Sequence, residues 1–134
     1  MNIVFLDSTE IPKHIPIPRP SFPHNWVEYE YTSAEQTIDR AKDADIIITS
    51  KVILSREVLQ LLPKLKLIAI TATGTNNVDL DAAKELGVTV KNVTGYSATT
   101  VPEHVLGMIF ALKHSLAGWQ RDQITGKWTE SKQF

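Results

Sequence analysis

At 134 residues the chain has the length of one ordinary domain, enough to bury a core without disulfides or a structural metal. Its 14 Lys and Arg nearly balance 15 Asp and Glu, giving a formal charge of −1, so there is no basic footprint for nucleic acid and no polybasic stretch for an anionic membrane. With no cysteine, a disulfide framework, a thiolate zinc site and a thiol nucleophile are excluded, and a reducing compartment is the natural setting.

Met1-Asn2-Ile3-Val4-Phe5-Leu6-Asp7 has no basic leader and only a short apolar run. It reads as a first strand, Ile3 to Leu6, in a protein expected in the cytoplasm. Pro12, Pro16, Pro18, Pro20 and Pro23 each fix φ and remove a donor, so residues 8–25 are expected as an extended surface loop, a stiff connector. Val27-Glu28-Tyr29-Glu30-Tyr31 alternates at period two, as a more exposed strand would. Ser33 and Gln36 have the spacing of a capping box and predict a helix through about Lys42. Asp45-Ile46-Ile47-Ile48-Thr49 predicts a third strand, stiff at χ1 and suited to a sheet buried on both faces.

Ser55 can cap the next helix, with Val58, Leu59 and Leu62 at helical spacing before Pro63 ends it. Leu67 to Ile70 is a fourth strand. Asp79 or Asp81 opens another helix, Gly87 supplies a left-handed stop, and Val88-Thr89-Val90 is a short fifth strand. Alternating strands and helices predict an α/β fold, a parallel sheet with helices on both faces. In residues 99–112, Thr100 and Glu103 match a capping box, and Val101, Val105, Met108 and Leu112 form an apolar stripe with Ile109 beside it. This helix is expected to pack on something substantial, either the parent sheet or a partner domain or subunit. Trp119 and Trp128 extend that expectation.

Ligands of such sheets bind beyond the carboxyl ends of the strands. Three segments follow strongly apolar strands: Asp7-Ser8-Thr9, Ser50-Lys51-Val52 and Thr73-Gly74-Thr75. The last belongs to Thr71-Ala72-Thr73-Gly74-Thr75-Asn76-Asn77-Val78-Asp79, whose small residues leave backbone N–H groups free to face a small anion. Gly74 would let the backbone approach the ligand, and Lys51 could add positive charge. The plain alternative is a glycine-containing turn before a helix. His14 and His24 in the proline-rich loop, and His104 and His114 on the last helix, read as structural or solvated. No histidine pair has metal-ligand spacing supported by a carboxylate, so no metal is expected. A phospho-receiver domain is disfavoured because the third strand ends in Thr49-Ser50-Lys51 without an acid, and an FMN binder because proline and acid follow the first strand.

Thr73-Gly74-Thr75-Asn76-Asn77-Val78-Asp79, then Ala82-Ala83, Gly87-Val88, Asn92-Val93, Tyr96-Ser97 and Val101-Pro102-Glu103-His104, resembles the N-terminal part of the D-isomer-specific 2-hydroxyacid dehydrogenases. Thr-Gly-Thr-Asn and the Phe22-Pro23 to Trp26 segment resemble the glycerate dehydrogenase and hydroxypyruvate reductase branch. The resemblance covers essentially the whole chain. It implies a flavodoxin-like substrate domain at residues 1–98. At 99–134 it implies an interdomain helix and the start of a Rossmann cofactor domain, in an enzyme that transfers a hydride between NAD or NADP and a 2-oxo or D-2-hydroxy carboxylate.

By position, Thr73 and Gly74 match the loop whose amides hold the substrate carboxylate, and Lys51 and Val52 a neighbouring substrate-facing loop. Thr100 and Val101 match the interdomain helix start near the nicotinamide. That helix region also implies a homodimer in the complete enzyme. The family's catalytic Arg, its acidic partner, its His acid/base, the glycine-rich pyrophosphate loop and the returning C-terminal helix all lie downstream of Phe134. No catalytic residue is therefore assigned here. The chain alone is expected to be catalytically silent and to bind no cofactor tightly, and the alternative is a truncated or vestigial carboxylate-binding domain.

Overall fold

The computed structural model describes residues 1–130, apart from the side chains of Glu10 and Trp128. Contacts divide the chain into one compact unit, Met1–Thr94, and a second from Gly95 onward. The expectation for the packing of Trp128 falls outside the described side chains.

The first unit contains β1 (Asn2–Phe5), β2 (Asn25–Glu28), α1 (Ala34–Ala41), β3 (Ile46–Thr49), α2 (Arg56–Gln60), β4 (Leu67–Ile70), α3 (Leu80–Glu85) and β5 (Thr89–Lys91). All strand pairs are parallel, and the order across the sheet is β2-β1-β3-β4-β5. This is a flavodoxin-like α/β sheet. The steps from β2 to β3, β4 and β5 run one way across the sheet while the step from β1 to β2 runs the other. Right-handed crossovers then send α1, α2 and α3 to one face and the proline-bearing segment to the other.

Register and burial agree with that division. Val4, Ile47 and Ile68 lie side by side and are buried in one cluster with Ala41 of α1, Leu59 of α2 and Ala82 and Ala83 of α3. On the opposite face Ile3 and Phe5 are buried, whereas Ile46, Ile48, Leu67 and Ala69 are half-buried. Trp26 and Glu28 are in register with Ile3 and Phe5 and share that face. There Arg19 stacks over the Trp26 ring at 3.6 Å and lies 3.4 Å from Glu28. Hydrogen bonds from Ser8, Trp26 and Arg19 hold the Glu28 carboxyl below its ordinary pKa.

The local signals operate at two of the first unit's three α-helix starts, while Ser55 takes the N-cap position of α2 without a side-chain cap bond. Ser33 and Gln36 form the capping box of α1, with the Ser33 N–H donating to Gln36 Oε1 at 3.2 Å. Asp79, and not Asp81, caps α3, accepting the Ala82 N–H at 2.8 Å. Gly87 is left-handed at φ 72°, as the stop of that helix requires. Two expectations are corrected. The second strand is Asn25–Glu28 and not Val27–Tyr31, because the Tyr29 and Glu30 carbonyls leave the ladder to accept the Ser8 and Thr9 N–H groups. Those residues belong to a 3-10 turn, Ser8–Glu10, that opens the segment expected to be wholly extended.

The second unit contains α4 (Thr100–Lys113), α5 (Leu116–Ile124) and α6 (Lys127–Glu130). The Thr100–Glu103 capping box does not form. Thr99 is the N-cap, already in right-handed helical conformation, with no side-chain cap. The chain enters α4 through helical turns, with the Val101 N–H on the Ser97 carbonyl at 3.1 Å, so Thr100 is inside the helix rather than at its cap. His114 ends α4, where the sequence placed the helix end, and the left-handed Ser115 at φ 50° turns the chain into α5, a further helix the sequence pattern did not announce. No residue of α4 is buried.

Candidate functional site

The switch in strand order falls between β1 and β3, whose following turns therefore border a crevice at the carboxyl edge of the sheet. Asp7 leaves the end of β1 and places its carboxylate inside the turn after β3. Its Oδ2 accepts the N–H groups of Ser50 at 3.0 Å, Lys51 at 2.7 Å and Val52 at 3.3 Å, together with the Thr49 hydroxyl at 3.1 Å. Its Oδ1 accepts the Ser50 N–H at 2.9 Å. Three successive backbone amides converging on one oxygen make an anion nest, and the chain fills it with its own acid. Asp7 is 7% exposed.

The turn after β3 is stitched to the turn after β4. The Ser50 and Thr71 hydroxyls are 2.5 Å apart, Asn77 Nδ2 donates to the Val52 carbonyl at 3.1 Å, and the Leu54 N–H donates to the Asn77 carbonyl at 2.8 Å. On its far side the β4 turn is held by β5's extension. The Thr73 hydroxyl donates to the Val93 carbonyl at 2.9 Å, Asn92 Nδ2 donates to the Thr73 carbonyl at 2.6 Å, and the Val93 N–H donates to the Ala72 carbonyl at 3.1 Å. The N–H groups of Thr73 and Gly74 donate to no acceptor among the described residues, and both residues are exposed. Gly74 is not left-handed. A Cβ there would stand 3.0 Å from Asn76 Oδ1, so glycine serves close approach at this position and not an unusual φ.

A cavity of about 530 Å³ lies at the crevice, lined by Asp7, Thr9, Glu30, Tyr31, Thr32 and Ala34 and by the turn residues Lys51, Val52 and Ile53, with Thr37 behind them. Its hydroxyls are oriented by the backbone: Thr9 donates to the Glu30 carbonyl, Thr32 to the Leu6 carbonyl at 2.5 Å and Thr37 to the Ser33 carbonyl at 2.9 Å. Lys13, 2.7 Å from Glu30 at the exposed rim, holds that carboxyl below its ordinary pKa by hydrogen bond and charge.

Lys51 and Val52 thus line a cavity, with their amides taken by Asp7. Thr73 and Gly74 are not among the residues lining it; theirs is the exposed, unclaimed donor pair. Thr100 and Val101 are exposed in the first turn of α4. The histidines fall where the sequence placed them. His24 sits edge-on between the Phe22 and Trp26 rings, His114 stacks on Phe110, His14 and His104 are exposed, and none lines the cavity. Among the described residues no three His, Asp or Glu cluster to hold a metal ion, and no helix is long and apolar enough to cross a membrane.

Sequence reasoning missed the capture of Asp7, the Asn77 brace and the Asn92 brace. A signal was present for the first: a lone acid at the end of one apolar strand, and a Thr-Ser turn at the end of another.

The family model described as D-isomer specific 2-hydroxyacid dehydrogenase, catalytic domain, matches residues 8–131. A putative 2-hydroxyacid dehydrogenase of Haemophilus influenzae is 78% identical over 134 residues, 100% of this chain and 42% of the relative. A glycerate dehydrogenase of Methylorubrum extorquens is 41% identical over 99% of this chain and 42% of its own length. Among solved structures, a NAD+-bound 3-phosphoglycerate dehydrogenase of Entamoeba histolytica is 25% identical, with a TM-score of 0.63 over 83% of this chain and 38% of that one. The chain therefore spans about two fifths of the length of these proteins.

Proposed function

The chain belongs to the D-isomer-specific 2-hydroxyacid dehydrogenase family, and on that premise we propose that it forms the substrate-holding part of an oxidoreductase. In the complete protein the reaction is hydride transfer between NAD(P)H and a small 2-oxo acid of the hydroxypyruvate or glyoxylate type, or the reverse from the D-2-hydroxy acid. The observation that carries this reading is the Thr73–Gly74 donor pair. Its backbone is braced on both sides while its N–H groups are left unclaimed. Oriented amide dipoles bind a carboxylate without needing a full positive charge, and a braced loop loses little conformational freedom on binding.

In this assignment residues 1–98 are the substrate domain, and 99–134 begin the connection to the cofactor domain. Thr73 and Gly74 hold the carboxylate. Lys51 and Val52 contribute side chains to the neighbouring wall. The nicotinamide, when bound, supplies or accepts the hydride. On this chain the fit for it extends to a surface contact: the Thr100 hydroxyl takes no partner among the described residues, while the Val101 N–H is already engaged by Ser97. No residue described here is assigned as acid, base or carboxylate-clamping arginine, so we expect the isolated chain to show no turnover. Half-buried Ile46, Ile48, Leu67 and Ala69 fit a sheet face that further chain covers in the complete protein, and the apolar side chains of α4 fit a homodimer contact there.

The test is Gly74→Ala in the complete protein. The added Cβ stands 3.0 Å from Asn76 Oδ1, so that exposed side chain must give way, and we expect the crowded loop to hold a carboxylate less well. Loss of one charge-assisted hydrogen bond predicts a KM for hydroxypyruvate or glyoxylate raised about tenfold, with kcat changed less. An unchanged KM in a folded variant would remove Gly74 from the site.

A further inference from the structure

We propose that Asp7 is a positioning residue: its buried carboxylate sets the shape of the Ser50–Val52 turn and, through the Ser50–Thr71 hydroxyl pair, the orientation of the Thr73–Gly74 donors. The inference rests on the reading of Thr73 and Gly74 as the carboxylate-binding pair. Asp7 contacts no reacting group in this account, and it acts through the backbone.

The geometry carries the argument in three steps. First, three consecutive N–H groups and one hydroxyl converge on Asp7 Oδ2 at 2.7 to 3.3 Å. Successive amides aimed at one spot form an anion-binding concavity, and here the Asp7 carboxylate satisfies it, with the Val52 N–H also reaching the Thr49 hydroxyl at 3.1 Å. Second, the ligand that satisfies the nest is covalently part of β1, which pairs with β3, so the turn is referenced to the central strands of the sheet and not to solvent. Third, Ser50 donates its N–H to Asp7 and shares its hydroxyl with Thr71 at 2.5 Å. Thr71 is two residues from Thr73, and its own N–H donates to the Thr49 carbonyl at 2.9 Å. A shift of Ser50 is therefore passed to the donor pair, whose other side is fixed by Asn92 and Val93.

The occupied nest also explains why two similar-looking turns have different tasks. Both follow apolar strands and both have backbone amides outside the sheet ladder. The β3 turn has an internal anion and serves as a rigid wall, while the β4 turn has none and is open to an external carboxylate.

The experiment is chemical rescue of Asp7→Ala, read by amide resonances and hydrogen exchange, with formate as the probe. In the variant, exchange at Ser50, Lys51 and Val52 rises at least about tenfold, and the dissociation constant for glyoxylate read at Thr73 and Gly74 rises about tenfold, the scale of one lost charge-assisted hydrogen bond. Excess formate occupies the vacated nest and restores exchange protection at Ser50–Val52. Because formate also competes for the Thr73–Gly74 pair, the glyoxylate dissociation constant in formate is compared with that of the unmodified protein at the same formate concentration, and the two should then agree. A folded variant with unmoved Ser50–Val52 resonances, or one that formate does not restore, overturns the proposal.

Should Asp7→Ala fail to fold, Asp7→Asn keeps the side chain's volume but replaces one accepting oxygen by an NH2 group. It is read without formate, by exchange at Ser50–Val52 and the glyoxylate dissociation constant, and unmoved values overturn the proposal. Ser50→Ala tests the link alone: it should move Thr73 and Gly74, and unmoved resonances there overturn the coupling step. If glyoxylate does not perturb Thr73 or Gly74 in the unmodified protein, the substrate reading fails. The release of Ser50–Val52 by the Asp7 variants is scored separately.

Discussion

The two ends of the central strands are each tied by one aspartate, and the two ties are built differently. At the carboxyl edge Asp7 is buried and gathers three amides and a hydroxyl. At the amino edge Asp45 is more open. It accepts the Asn2 N–H at 2.9 Å and pairs with Lys66 at 2.9 Å, the lysine being mostly exposed. The amino-edge tie is a clasp between strand starts, one of several that could substitute for it. Asn2 O and Asp45 O also accept backbone N–H groups there, and Lys64 pairs with Asp43 nearby. The carboxyl-edge tie differs in kind, because the turn it holds has its amides turned inward, and of these only the Val52 N–H also reaches another acceptor, the Thr49 hydroxyl at 3.1 Å. In a parallel sheet the amino edge has to be stable, while the carboxyl edge has to be shaped.

Breaking the buried tie has the largest expected effect. Asp7→Ala leaves several inward-facing donors without their acceptor and should cost about 2–4 kcal/mol in urea unfolding, the scale for unsatisfied buried donors. Asn77→Ala, at the same edge, removes the donor to the Val52 carbonyl and should cost about 1–2 kcal/mol by the same measurement.

Asp45→Asn should cost less than either, and its effect depends on pH. The Asn2 hydrogen bond, then Lys66, holds the Asp45 carboxyl below its ordinary pKa. A carboxyl lowered on folding stabilises the protein above its ordinary value and loses that contribution as pH falls through the lowered one. The difference between Asp45→Asn and the unmodified protein should therefore be constant near neutrality and shrink in acid, below about pH 4. Lys64→Ala, breaking an exposed pair with Asp43, should change stability least of these, and by less still at high salt.

Much of this fold is legible in the sequence because its strands are short uninterrupted apolar runs and its helices carry local start and stop signals. Ser33 with Gln36, Asp79 and Gly87 act through neighbours within three residues, so the pattern alone locates them. The same kind of signal misleads at Thr100 and Glu103, where the preceding turns are already helical and no free helix end exists for the box to cap. The second strand ends earlier than its pattern implies, because alternation continues through Tyr31 whereas pairing is decided by β1 and by the 3-10 turn at Ser8–Glu10.

The candidate site divides similarly. The proposal for Thr73 and Gly74 starts from a local cue, a glycine among small residues after an apolar strand. The filled nest was not found, since Asp7 and its three amides are 43 to 45 residues apart and meet only once β1 and β3 pair. No local pattern distinguishes an amide turn that is open from one already occupied.

The most direct measurement is an amide titration of the unmodified, 15N-labelled protein with glyoxylate. Saturable shifts at Thr73 and Gly74, with Ser50, Lys51 and Val52 unmoved because Asp7 holds them, are the predicted result. Shifts at Ser50–Val52 with none at Thr73 and Gly74 would contradict the account, reversing which of the two turns is open to a carboxylate.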